Sequence, residues 1–244
     1  MTLFPFIITT IAGLSTLLGY LFINIKNNNK NKIIALSLSF SASVMISLSL
    51  LELIPESFKN ILKTNTILHT TLITLNFINI GVIITLILDK ITHNINKNSL
   101  YSIGIISVIA IIMHNIPEGI ITYLAGNTNK RVGISLMIAI ALHNIPEGIS
   151  IAIPIYYSTK NKLKTLKYLI ISASSEIIGA LIASIFLKNK NIDFISYTSL
   201  IIAGIMIFLA LFKQIPIITK IKEKNKIKAF ILGIIIIYIT IKIM

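Results

Sequence analysis

The stretch LYSIGIISVIAIIMHNIPEGIITYLA, residues 100–125, decides the fold. It holds no Lys, Arg or Asp, and its one carboxylate, Glu118, sits among Ile, Pro and Gly. A bilayer core about 30 Å thick needs about 20 mostly apolar residues to cross it. A spanning segment must satisfy its own backbone, which in a single stretch means an α-helix. The same signal recurs along the chain. Spans are predicted at Leu3–Ile25, Ile33–Ile54, Ile67–Leu88, Leu100–Ala125, Val132–Tyr156, Leu166–Leu187, Phe194–Phe212 and Ala229–Met244. The expectation is an all-α, polytopic membrane helix bundle with eight transmembrane helices, forming one integral membrane domain over residues 1–244.

Composition agrees. The chain is 55% hydrophobic and 12% charged, with a mean hydropathy of +0.90. A soluble domain of 244 residues would leave too much of that apolar surface in water. Cysteine is absent, so disulfides, thiol chemistry and zinc ribbons are excluded, and any metal must use His, carboxylate, amide or Met. A net charge of +14 on a soluble chain would suggest nucleic acid. Here the lysines lie between apolar runs, so they are read as topology signals and contacts to anionic headgroups, with no nucleic-acid partner. The N-terminal run lacks a basic leader and a small-residue cleavage site, and reads as a first span.

Basic residues set the orientation. The odd-numbered loops carry Lys26, Lys30, Lys32, Lys90, Lys97, the cluster from Lys160 to Lys167 and the cluster from Lys213 to Lys228. The even-numbered loops carry only Lys59, Lys63, Lys130, Arg131, Lys188 and Lys190. The odd loops are therefore expected in the cytoplasm and both termini outside. The chain also repeats itself. Met45, Ile46, Leu48, Leu50, Ile54 and Pro55 of span two coincide with Met206, Ile207, Leu209, Leu211, Ile215 and Pro216 of span seven at one offset. Spans two and seven run in opposite directions, so the repeat is inverted, an arrangement typical of secondary transporters.

The chemistry sits inside the membrane. A carboxylate at the bilayer centre costs roughly 2.5–3.5 kcal/mol on insertion scales. Glu118, Glu147 and Glu176 nevertheless fall mid-span, with no Lys or Arg at their depth. Span four carries His114-Asn115-Ile116-Pro117-Glu118-Gly119-Ile120, and span five repeats all seven residues from His143 through Asn144 and Glu147 to Ile149. His and Glu at i and i+4 share a helix face, and Asn borders it. Two antiparallel helices can gather two imidazoles, two carboxylates and two amides around one cavity, a donor set suited to zinc and similar divalent ions. Pro117 and Pro146 leave the carbonyls of Met113 and Leu142 without their helical N–H, and Gly119 and Gly148 allow close helix approach. A lone membrane His or Pro is ordinarily a packing feature. Packing does not account for two identical His-Asn-Glu segments at mid-membrane. Glu176, in the small-residue stretch Ser172–Glu176, is read as completing the site. Met45 is a weaker thioether candidate, Glu52 a cation-attracting residue near the outer end of span two, His69 and His93 interfacial residues, and Asn76 and Asn79 interhelical bonders.

These segments resemble the ZIP (Zrt- and Irt-like) metal transporter family, most closely its bacterial, ZupT-like zinc-uptake branch. The resemblance implies a bundle in which spans one to three and six to eight are inverted repeats around spans four and five, inserted in the bacterial inner membrane. It implies a binuclear site. His114, Glu118, His143 and Glu147 would form one metal position. Asn115, Asn144 and Glu176, with both motif glutamates bridging, would form the other. Met45 matches a position that sometimes adds a ligand. No catalytic cofactor is implied. The metal is cargo: zinc first, with iron, manganese, cobalt or cadmium also suited, carried into the cytoplasm. A homodimer is compatible with this reading. Two features depart from the family pattern: Phe212-Lys213 stands where relatives often carry acids, and the Asp89–Ser99 connection holds only one His, His93.

An intramembrane metal-dependent hydrolase is the alternative. That chemistry usually uses His-Glu-x-x-His, with the Glu acting on water. Here Asn follows each His, so the transporter reading leads. Topology can be checked directly, because no native Cys needs removal. A Cys replacing Lys224 is expected to resist impermeant thiol reagents in intact cells, and labelling from outside would reverse the orientation.

Overall fold

The computed structural model describes residues 3–24, 29–95, 99–186 and 192–243, and these form helices with no strand among them. Helix α1, residues 3–24, is α-helical over Leu3–Leu14 and a 3₁₀ helix over Ser15–Asn24. Helix α2, residues 30–62, passes from Lys30–Leu48 through a π-helical stretch, Ser49–Leu53, into Ile54–Leu62. Then come α3 (Ile67–Ile95), α4 (Ser99–Thr128), α5 (Lys130–Thr159) and α6 (Lys162–Phe186). Helix α7, residues 192–220, is built as Ile192–Phe208, a π stretch Leu209–Gln214, and Ile215–Lys220. Helix α8 is Lys226–Ile243. Seven of these helices are long and apolar enough to cross a membrane. Helix α8 carries three lysines in its 18 residues. The expected span ends Ile25, Leu187 and Met244 lie outside the described residues.

Two expected boundaries are corrected. Spans two and seven were to end at Ile54 and Phe212, beside Pro55 and Pro216. Both helices instead continue, to Leu62 and Lys220. A proline ring clashes with the carbonyl four residues back, here Leu51 and Phe212. Both carbonyls lie within the π stretches, where the wider turn admits the ring without ending the helix. The two π stretches occupy matching repeat positions, so the inverted repeat extends from sequence to backbone.

Packing follows the same symmetry. Helix α1 lies against α5 as α6 lies against α4, and α2 lies against α8 as α7 lies against α3. Two four-helix halves result: α1, α4, α5 and α6 in one, and α2, α3, α7 and α8 in the other. Each crossing has a small residue at its tightest point. A Cβ on Gly148 would strike the Thr16 carbonyl of α1, and one on Gly119 would strike the Glu176 carbonyl of α6. Gly81 and Gly204 meet across α3 and α7, each against the other helix's backbone. In the repeat, Ser43 of α2 takes the place of Gly204, and Gly233 of α8 rests on it. Lipid offers no hydrophobic drive to helix association, so backbone proximity and dispersion must supply it.

That close crossing can be tested away from the motifs. Gly81→Ala and Gly204→Ala each press a methyl into a backbone carbonyl, at a cost of roughly 1–3 kcal/mol for overpacking. Both are expected to lower the melting temperature in detergent, followed by fluorescence size exclusion. Melting like the parent would refute the crossing.

Candidate metal centre

The site is made by the α4–α5 hairpin. Asn129 alone separates Thr128 from Lys130, and its side chain caps α5 by accepting from the amides of Arg131 (2.9 Å) and Val132 (3.4 Å). Two helices joined so tightly must run antiparallel. His114 lies fourteen residues before Thr128, and His143 thirteen after Lys130. The imidazoles therefore reach the same depth, with ring centroids 6.0 Å apart. The glutamates do not. Each follows its His by four residues, so on antiparallel helices they step in opposite directions. At 1.5 Å per residue, Glu147 lies about 10 Å further from the turn than Glu118.

The side chains converge on Glu118. Its Oε1 is 3.0 Å from Nε2 of His114 and 3.0 Å from Nε2 of His143. Glu147 Oε1 approaches His114 Nε2 at 3.8 Å. Ligand atoms of His114, Glu118 and His143 all lie within 4.8 Å of one another. Donors 2.0–2.2 Å from a tetrahedral zinc sit about 3.3 Å apart. The spacing therefore suits one small divalent ion among these donors.

The second expected group is partly assembled. Asn144 donates from Nδ2 to Glu176 Oε1 and to the Ala12 carbonyl (3.0 Å). Ala12 also accepts from Ser15 Oγ, at 2.6 Å, where α1 changes to its 3₁₀ geometry. Asn115 is fully buried, and neither end of its amide has a hydrogen-bond partner. Glu118 Oε2, both Glu147 oxygens, Asn144 Oδ1 and Glu176 Oε2 are likewise buried without hydrogen bonds. Leaving such groups unpaired costs about 1–3 kcal/mol each, more when charged. Several of these atoms belong to carboxylates and amides gathered around the His114–Glu118–His143 cluster, the kind of donors that a divalent ion accepts.

The weaker candidates sort themselves. Met45 Sδ lies 3.7 Å from Gln214 Nε2, which also meets Ser41 Oγ (3.3 Å), so its sulfur faces its repeat partner's helix. His69 pairs with Asn65 at an exposed position (2.8 Å). Asn76 and Asn79 are exposed on the outer face of α3, and the His93 side chain lies outside the described part of the structure. Glu52 is better placed than the sequence implied. It joins Glu56, Asn60 and Ser199 in lining a cavity of about 380 Å³ that reaches His114 and Glu118. Glu52, Glu56 and Asn60 recur every four residues on one face of α2, a spacing readable from the sequence.

A polytopic bundle whose two identical motifs join imidazoles to a shared carboxylate midway along two apolar helices defines a multi-pass membrane protein with a buried cluster that fits a divalent metal. The chain belongs to the ZIP zinc transporter family, whose model matches residues 1–99 and 95–244. It is 32% identical to the zinc transporter ZupT of Streptococcus mutans over 86% of each chain. It is also 32% identical to ZupT of Xanthomonas axonopodis pv. citri, over 86% of this chain and 82% of that one. The match to ZupT of Clostridium perfringens is 38% identical over 54% of this chain and 47% of the relative. Alignments of that kind span about half the length of the curated relatives they match. The hydrolase alternative finds no support. Glu118 lies against both imidazoles, and the family is one of transporters.

Glu118→Ala removes the carboxylate that both imidazoles share. Loss of an outer-shell partner typically weakens metal affinity 10–100-fold, and loss of a ligand should exceed that. Equilibrium zinc titration of the purified variant is expected to show a drop of about 100-fold or more. Parent-like affinity would remove Glu118 from the ligand set.

Proposed function

We propose that this chain carries zinc across the membrane through the site between α4, α5 and α6. The observation that supports the reading is the single oxygen of Glu118 held 3.0 Å from both imidazoles at mid-span. His114, Glu118, His143 and Glu147 take one metal position. Asn115, Asn144 and Glu176 take a second, with Glu118 and Glu147 reaching both. Buried oxygens and nitrogens without hydrogen bonds throughout this group support it. Imidazole and carboxylate donors also suit iron, manganese, cobalt and cadmium, so selectivity rests on geometry and supply more than on donor type. Residues 1–244 act as one transport unit, in the bacterial inner membrane with both termini outside. Zinc enters by the cavity that Glu52, Glu56 and Asn60 line, and leaves to the cytoplasm. The names of the ZupT relatives support the substrate, and the distribution of lysines supports the orientation.

Zinc uptake into proteoliposomes tests the division of labour. Glu118→Ala and Glu147→Ala strip charge from both positions, and transport is expected to fall to background. Asn115→Ala and Glu176→Ala damage one position, and transport is expected to persist with altered preference among zinc, cadmium and manganese. If both Glu variants, reconstituted to the parent's density, carry zinc like the parent, the ligand assignment fails.

A further inference from the structure

The cavity of Glu52, Glu56 and Asn60 lies between the two motif histidines and the end of the bundle that holds the Asn129 turn. The inverted repeat identifies its counterpart at the other end. Offsets of 161 residues between α2 and α7, and of 29 between the two motif helices, convert wall residues into partners. Glu118, Ile121, Leu136 and Ser199 line the cavity and are only partly buried. Their partners Glu147, Ser150, Ser107 and Leu38 are at most 1% exposed. Among them, Ser107 Oγ and both Glu147 oxygens are buried without hydrogen bonds. Such atoms are costly in a finished core, and they are what the wall of a second cavity looks like when that cavity is shut.

The remaining pair shows what shuts it. Glu52, on the open wall, has Lys213 as its repeat partner. Glu52 Oε2 has no hydrogen-bond partner. Lys213 is clamped, its Nζ 2.6 Å from Asp89 Oδ2, and Asp89 Oδ1 accepts from Ser102 Oγ at 3.2 Å. Lys213 lies in the π stretch of α7, Asp89 on α3 and Ser102 on α4. The cluster thus joins one four-helix half to the other, at the end opposite the cavity.

We infer that Lys213 is a gate residue: its ammonium, held by Asp89, keeps the second mouth of the path closed, and breaking that pair opens it. A fixed cation at the mouth also leaves Asp89 neutralised, so that a departing divalent ion finds no bare carboxylate to linger on. The inference rests on the transport reading above, but its test does not depend on zinc moving.

A single Cys at Ser107 reports the closed wall. Its modification by an impermeant methanethiosulfonate, applied to the reconstituted chain from the Lys213 side, is expected to accelerate in Lys213→Gln and in Asp89→Asn. The gain should be on the order of fivefold, the upper end for a partly exposed ion pair. The exchange Lys213→Asp with Asp89→Lys should return the rate to that of the parent, with zinc affinity unchanged throughout. Unchanged labelling in both single variants, at equal monodisperse yield, overturns the gate. Acceleration that the exchange fails to reverse overturns it too, because it signals general loosening. Absence of zinc flux in the parent would defeat the transport reading while leaving this comparison intact.

Discussion

A carboxylate in hydrocarbon must be enclosed by protein, and most of this structure follows from enclosing three of them. Glu147 and Glu176 are buried, Glu118 is partly exposed where it lines the cavity, and no lysine stands near them in the sequence. Enclosure requires helices close enough to exclude lipid from the cluster. The glycines Gly119 and Gly148 permit this, by letting α6 and α1 press on the backbones of the motif helices. The same contacts set the donors. The Glu176 backbone that meets Gly119 also carries the carboxylate that Asn144 reaches. Packing and the Asn144–Glu176 hydrogen bond are in this way two properties of one crossing.

Symmetry does the rest economically. One fold of three helices, used twice in opposite senses, yields the paired crossings and the paired π stretches. The departures from symmetry distinguish the two ends. Glu52 faces Glu118 across an open cavity, while its counterpart Lys213 is tied to Asp89 beyond sealed walls. Carboxylates around an open cavity and a lysine clamped at the opposite end make the two ends chemically unlike, which the repeated backbone alone would not do.

Much of this was legible in the sequence, for physical reasons. Spans are dictated by the length of apolar runs. The buried His-Glu cluster is announced by the repeated motif, because ionisable groups persist within apolar spans only where they are paired, bound to an ion or wetted. The π stretches were not legible. Proline announces a local disturbance, but whether a helix ends or widens depends on what packs around it. The pairing of Lys213 with Asp89 joins residues 124 positions apart and is fixed only by how α3 and α7 cross. The Ala12 carbonyl that receives Asn144 was hidden for another reason: backbone acceptors leave no mark in a sequence. Glu56 and Asn60, by contrast, stood at helical spacing from Glu52 and could have been read.

The single-residue turn at Asn129 has an evolutionary corollary. Because the two histidines meet at nearly equal counts from that turn, fourteen residues before Thr128 and thirteen after Lys130, the distance between the motifs is a ruler graduated in whole residues. One residue added within either helical arm would swing a motif through about 100° and advance it by about 1.5 Å, carrying its imidazole off the shared face. Descendants of this chain can exchange the exposed residues between Glu118 and His143, such as Ile134 and Ile138, without moving either imidazole. They cannot drift in their number, and length is the trait by which this hairpin remembers its site.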